Sequence, residues 1–185
     1  MEAEMLVKRM LACAGTVAMR SIIEKAFVEH DMARLTHALL AIGTPRLSIC
    51  DQPLPINQIE SVAKAEHAVR PIDFLGVDYI QIVPSDNHRR GESRQQEVGR
   101  TSQSLKRLQR SLGCMAVFPT QLNDDGKVRE ARDIMMDAAI GLRVQEDGVF
   151  VMKNRNGPRG ITLDLWLNGE YQRFEPIQQP KKVSQ

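Results

Sequence analysis

With 185 residues, 42% hydrophobic and 26% charged, the chain has ordinary globular composition and enough apolar residues for one sizeable core. A net charge of +2 and a pI near 8.5 are too mild to identify a nucleic-acid partner, and no apolar stretch approaches the roughly 20 residues a membrane span needs. Cys13, Cys50 and Cys114 are odd in number and far apart, which excludes a disulfide framework or a zinc set and predicts buried, reduced thiols in a cytoplasmic protein.

Aromatic residues make up 4% of the chain, so aliphatic side chains and the 9 methionines must fill much of the core. The start carries Glu2 and Glu4 instead of a basic run followed by a long apolar one, so the signal-peptide pattern is missing. His30, His37, His67 and His88 form no ligand pair beside a cysteine, and no zinc is assigned. Met5, Leu6, Met10 and Leu11 recur at helical spacing, as do Ile22, Ile23 and Phe27. A third helix is predicted from Asp31, an N-cap residue type, to the stop signal Gly43. Arg46 to Cys50 is a short strand candidate. Pro55 then suits the first turn of a helix carrying Ile56, Ile59, Val62 and Ala63.

From Phe74 to Val83 the chain is nearly continuous apolar β-former, bounded by Pro71 and Pro84. Such a run predicts a central parallel strand covered on both faces. A polar loop follows, to about Arg94. Ser93 with Gln96 makes a capping box, and Val98, Leu105, Leu108 and Leu112 mark one face of the next helix. Cys114 to Phe118 is another strand candidate, ended by Pro119. The alternation of helix and strand argues for an α/β domain with a parallel sheet. Residues 138–144, 148–153, 161–167 and 171–174 then follow without helices between them, and Asp147-Gly148 and Asn168-Gly169 are hairpin turn signals. The sheet is therefore expected to continue into antiparallel hairpins, with one domain over residues 1–177 and a polar, frayed tail over 178–185.

Four features carry chemistry. Asp78 is an acid within an apolar run, which is costly unless its charge is compensated. In nucleotide-binding α/β folds an Asp at this place helps to hold magnesium through water; otherwise it is a hydrogen-bonded acid at a strand end. Gln121 lies just past the next strand, and ligands of open α/β sheets bind outside the carboxyl ends of the strands. Polar groups at Asp78–Tyr79 and Thr120–Gln121 could therefore face one site, although a loop glutamine is more often simply solvated. Lys153 and Arg155, at alternate positions of a strand ahead of a glycine-proline turn, project to one side and suit a phosphate tail. An edge strand protected by charge accounts for them equally. Basic residues gather at Arg89, Arg90, Arg94, Arg100, Lys106, Arg107 and Arg110 against Glu92 and Glu97, and a second polar loop adds Lys127, Arg129 and Arg132. Loop cations can neutralise a nucleic-acid backbone without reading its sequence, while the helical ones also fit a solvated face. A phosphate-gripping loop would read G-x-x-x-x-G-K-[ST]; the only Gly-Lys, Gly126-Lys127, is followed by Val128 and lacks the earlier glycine.

Taken in order, these segments resemble the C-terminal motor domain of DnaB-like replicative DNA helicases, a hexameric family. Gly76-Val77-Asp78-Tyr79-Ile80-Gln81 resembles the family's Walker B strand with its D-Y-L-Q ending. Ser93-Arg94-Gln95-Gln96-Glu97-Val98, with Ser104-Leu105-Lys106, is similar to its R-Q-Q-E-V … S-L-K helix. Thr120-Gln121-Leu122 takes the place of the S-Q-L sensor segment. Lys153-Asn154-Arg155-Asn156-Gly157-Pro158 with Gly160 resembles K-x-R-N-G-P-x-G, and Gly169-Glu170-Tyr171 with Arg173-Phe174 resembles the closing G-x-Y-x-R-F hairpin. The similarity runs along nearly the whole chain. Met1 stands at the methionine of the family's S-L-E-M segment, so the water-activating glutamate and the Walker A loop are expected to be missing. The segment between Gln121 and Asp137 is shorter than the family's, and Phe118-Pro119-Thr120 replaces an aliphatic-Ser pattern.

The resemblance implies a RecA-like P-loop NTPase core: a mostly parallel central sheet flanked by helices, antiparallel hairpins at the C-terminal end, and no first strand or Walker A loop. It implies an ATP-dependent DNA helicase working as a homo-hexamer on single-stranded DNA, with ATP and Mg2+ as cofactors and no membrane partner. Asp78 then belongs to the Walker B magnesium site and Gln121 is the sensor. Lys153 and Arg155 act in trans on a neighbour's ATP as lysine and arginine finger. Arg89, Arg90, Arg94, Lys127 and Arg129 face DNA. The chain alone is expected to be inactive as an ATPase. The alternative is a non-hydrolysing module that binds single-stranded DNA or joins a helicase ring. A fragment of a RecA-like recombination or circadian-type ATPase fits the R-Q-Q-E-V and K-N-R-N-G-P segments less well.

Overall fold

The computed structural model describes residues 2–43, 47–84, 93–121, 132–145 and 148–177. They form two compact units, one from Gln52–Gly141 and one from Met1–Asp51 with Leu142–Gln185. The expected tail at 178–185 lies outside the described residues. No described helix is long and apolar enough to cross a membrane.

The unit around Gln52–Gly141 is built on a short parallel pair. Strand β1 (Phe74–Gly76) lies beside β2 (Met115–Val117), with Leu75 opposite Ala116. Two helices precede the strands in turn. Here α4 (Ile56–Val69) starts behind Pro55, whose fixed φ of -67° serves the cap position. Helix α5 (Arg94–Leu112) starts in the expected capping box, with Ser93 Oγ accepting the Gln96 N–H and Gln96 Oε1 accepting the Ser93 N–H. It ends on Gly113 at φ 64°, where a glycine reaches the left-handed region without strain.

The predicted apolar face of α5 is the core of this unit. Val98 and Leu105 bury themselves with Ile80 and Ile134, packed against Ile56, Ile59, Val77 and Phe118. Leu108 and Leu112 do so with Ala63 and Cys114, packed against Ile59, Ile72 and Leu75. Each fully buried leucine is worth about 1.5–3 kcal/mol relative to exposure, so this one stripe dominates the unit's stability.

The apolar run expected to form one strand over 74–83 divides. The strand stops at Gly76, and Ile80–Ile82 forms a 3-10 turn instead. Ile80, 1% exposed, turns into the α5 core rather than extending the sheet. An apolar run has no period that separates a buried strand from a buried turn. Nor is β1 covered on both faces: Leu75 and Ala116 are half-buried, while Phe74, Met115 and Val117 are exposed. A short helix, α6 (Arg132–Asp137), was not legible in the sequence. Its last residue, Asp137, accepts hydrogen bonds from Lys106 Nζ at 2.8 Å and Ser102 Oγ at 3.3 Å, contacts from a helix some thirty residues away.

In the other unit, α1 (Ala3–Gly15), α2 (Met19–Glu24) and α3 (Asp31–Ile42) enclose Ala12, Val17, Met19 and Ile22, packed against Met5, Leu11 and Leu35. Asp31 proves to be the first residue of α3, not its cap; its Oδ2 accepts the Val28 N–H at 3.1 Å. The strand expected at Arg46–Cys50 is absent from residues 47–50, and residue 46 lies outside the described residues. Strands β3 (Ile140–Gln145), β4 (Gly148–Asn154) and β5 (Ile161–Leu163) form one sheet in that order, with β4 and β5 antiparallel.

The register pairs Val149 with Leu163 and Val151 with Ile161. β6 (Leu165–Asn168) and β7 (Arg173–Pro176) form the expected antiparallel hairpin. The turn of that hairpin is held by Asn168, whose Oδ1 accepts the Glu170 and Tyr171 N–H groups at 3.1 and 3.3 Å. The hairpin is fastened to the helices by the Met19 N–H on the Glu170 carbonyl and by Arg173 Nη1 on Thr16 Oγ1. Asp147, of the other expected turn signal, lies outside the described residues.

The three cysteines are free, but only Cys114 is buried; Cys13 is half-buried and Cys50 exposed. Cys50 sits in an irregular segment, where its apolar neighbours do not enclose it.

Candidate functional site

Parallel pairing brings the carboxyl ends of β1 and β2 side by side, and the chain keeps them together past the strands. The Val77 N–H reaches the Val117 carbonyl at 3.2 Å, and the Ile80 N–H reaches the Pro119 carbonyl at 3.2 Å. Asp78 follows the end of β1 and is exposed. Its charge therefore stays in water, and the desolvation cost expected of an acid within a strand does not arise. Thr120 and Gln121 follow the end of β2, Thr120 half-buried and Gln121 exposed.

The connection between the two ends is Gln81. Its Nε2 donates to Thr120 Oγ1 at 2.6 Å and to the Gln121 carbonyl at 3.1 Å. Its Oε1 is buried and meets no donor among the described residues. The Gln81 main-chain carbonyl accepts from Arg94 Nη2, and Arg94 Nη1 also meets Glu97 Oε2 at 2.5 Å. The Glu97 side chain is 7% exposed against 47% for Arg94, so a buried carboxylate is held by a cation that water still reaches.

Gln81 stands in the quoted Gly76–Gln81 segment, yet sequence reasoning gave it no role. The available signal was a polar residue ending an apolar run. Its partners lie about forty residues away, and nothing local identifies them. Among the helical cations, Lys106 pairs with Asp137 at 2.8 Å and Arg107 Nη2 donates to Ser104 Oγ at 2.8 Å.

Lys153 and Arg155 belong to the other unit. Lys153 is half-buried near the end of β4, while Arg155 is exposed in the bend beyond it. The expectation of two cations at alternate positions of one strand is corrected accordingly: β4 ends at Asn154. That residue starts the turn, its Oδ1 accepting the Asn156 N–H at 3.2 Å. A Cβ at Gly157 would stand 2.6 Å from Asn154 Nδ2 and would displace that amide, and Gly160 takes φ +74° as its N–H returns to the Val151 carbonyl at 2.8 Å. The R-N-G-P-R-G segment is thus a built turn that presents Arg155 to solvent.

Arg89, Arg90, Lys127 and Arg129 lie outside the described residues. Among the described residues, no group of three or more His, Cys, Asp and Glu side chains could hold a metal ion.

Comparison with known proteins adds the context of relatives. Residues 1–139 match the model of the DnaB-like helicase C terminal domain. The chain is 27% identical over 199 aligned residues to replicative DNA helicase DnaB of Geobacillus stearothermophilus, covering 94% of this chain and 43% of that protein. It is 26% identical to replicative DNA helicase DnaC of Bacillus subtilis (strain 168), with the same coverage. The chain thus spans less than half the length of these relatives. Among solved structures it superposes on a DnaB-like replicative helicase, described together with its interactions with primase, with a TM-score of 0.78 and 23% identity over 96% of this chain and 49% of that one. A second solved structure, an ATPase domain, gives the same TM-score and identity, with 96% of this chain and 72% of that one covered. These likenesses make the fold that of the RecA-like ATPase domains.

Proposed function

Because the chain belongs to the DnaB-like helicase C-terminal domain family, we propose that it is part of the motor of an ATP-dependent replicative DNA helicase. The observation that carries the proposal is the joining of the Asp78 turn to Thr120–Gln121 through Gln81 at the carboxyl ends of neighbouring parallel strands, where ligands of open α/β sheets bind. Asp78 supplies one exposed carboxylate. That fits magnesium, which keeps several waters and takes its other ligands from one or two carboxylates and substrate phosphates. None of the 185 residues reads as a glycine-rich phosphate loop, so this chain's own contribution to the triphosphate site is confined to groups such as Asp78 and Gln121.

In this proposal Asp78 and Gln121 are the residues of this chain that would hold Mg-ATP, Asp78 on the magnesium side and Gln121 on the side of the terminal phosphate. Mg-ATP, when bound, supplies a transferable phosphoryl group whose developing charge must be stabilised. Lys153 and Arg155 answer that need on a neighbouring subunit's nucleotide, and the built turn presenting Arg155 to solvent supports such a trans role. Arg89, Arg90, Arg94, Lys127 and Arg129 face single-stranded DNA in a homo-hexameric ring. The chain by itself does not hydrolyse ATP. Magnesium-dependent hydrolysis by the purified chain, lost in Asp78→Ala, would overturn that part.

A second reading is a non-hydrolysing module that binds single-stranded DNA or enters a helicase ring. Anisotropy of a labelled oligonucleotide across a salt series tests the DNA role common to both. Each phosphate neutralised contributes about -0.7 to the slope of log K against log salt on single strands. Binding that weakens with salt at a slope of several such steps is the expected result; no salt-dependent binding counts against any DNA role.

A further inference from the structure

We propose that Gln81 is a positioning residue that fixes the Thr120–Gln121 segment against the Asp78 turn; this rests on the reading of Gln121 as the glutamine that meets the phosphate. The orientation of the Gln81 amide follows from its partners. The Gln121 carbonyl can only accept, so Nε2 must face it, and the Thr120 hydroxyl shares the same nitrogen. One side chain thereby sets the distance between the segment carrying Asp78, three residues upstream, and the segment carrying Gln121.

Gln81 is itself fixed from two directions. Ile80, 1% exposed, anchors the 3-10 turn in the core formed with Val98 and Leu105. Arg94 at the start of α5 donates to the Gln81 carbonyl while held by the buried Glu97. The Thr120–Gln121 segment has no regular structure of its own. The Ile80 N–H holds the chain at Pro119, one residue earlier, so the Gln81 amide is what carries the constraint on to Gln121. A network of this kind transmits position: moving Arg94 moves the Gln81 carbonyl, and the Gln81 amide moves Gln121.

Nitrogen-15 relaxation on the full chain tests this. The Gln121 amide of the unaltered chain should show an order parameter near ~0.85, as in rigid backbone, falling below ~0.6 in Gln81→Met, which keeps the length of the side chain and loses its donors. Thr120→Val, which removes only the hydroxyl partner and leaves the core intact, should loosen Gln121 as well, and Thr120→Ser should restore the order parameter of the unaltered chain. That rescue separates hydrogen-bonded positioning from general packing. A Gln121 amide left rigid by both Gln81→Met and Thr120→Val, or left loose by Thr120→Ser, would overturn the proposal. The helicase reading fails on a different signal: an unaltered chain that binds no oligonucleotide in the salt series, whatever its Gln121 order parameter.

Discussion

Replacing Arg94 with methionine removes one cation from two acceptors at once, and its cost can be worked from the surroundings. Breaking a fully buried ion pair by removing one partner costs about 3–5 kcal/mol, because the other charge is left uncompensated. Exposed pairs are worth only about 0.2–1 kcal/mol. The Arg94–Glu97 pair lies between these limits, since the carboxylate is 7% exposed, the guanidinium 47%, and Glu97 keeps a further interaction when Arg94 is lost. A loss of about 2 kcal/mol follows for Arg94→Met, which includes the charge-assisted bond to the Gln81 carbonyl after allowance for solvent. Glu97→Gln removes the buried charge but keeps an acceptor, so it should cost less, and the double variant should cost less than the sum of the single ones. Hydrogen exchange followed by mass spectrometry on the peptide covering α5 reads the effect where it arises, and 2 kcal/mol corresponds to roughly 30-fold faster exchange. Additive single-variant effects in that double-mutant cycle would refute the claim that Arg94 is held by the buried carboxylate.

Leu105→Ala, at a side chain with no exposed surface, should cost about 2–5 kcal/mol in chemical denaturation, whereas Val69→Ala, 84% exposed, should change stability by less than about 0.5 kcal/mol. Ser93→Ala removes the Oγ that caps Gln96 and should lower stability by about 1 kcal/mol, with Ser93→Asp recovering most of it. Burial pushes the Cys114 thiol above its ordinary range, while Cys50 is exposed. Alkylation of the native chain should therefore modify Cys50 well before Cys114. With its folded pKa raised, the Cys114 contribution to stability is fully present below the unfolded thiol range and is lost as pH rises through and above that range. Cys114→Ala should flatten this alkaline decline, and an unchanged decline would show that another group causes it.

The sequence by itself determined the helical register of α5, its capping box and its apolar stripe, because the side chains that make a helix face recur every turn and Ser93 meets Gln96 within one turn. It also led to the expectation of a parallel sheet and of the hairpin at Asn168-Gly169, where local turn chemistry is decisive. It singled out Asp78 within the apolar run and Gln121 just past the next strand, and its motifs identified the family. Only the tertiary structure decided that the run from Phe74 to Val83 breaks after Gly76, since whether Ile80 extends a sheet or enters a core depends on what lies beside it. For the same reason it alone revealed α6, held by Asp137 on Lys106 and Ser102, and the Gln81 bridge to Thr120 and Gln121. Those contacts join residues thirty to forty positions apart, and no local period or turn signal reaches that far.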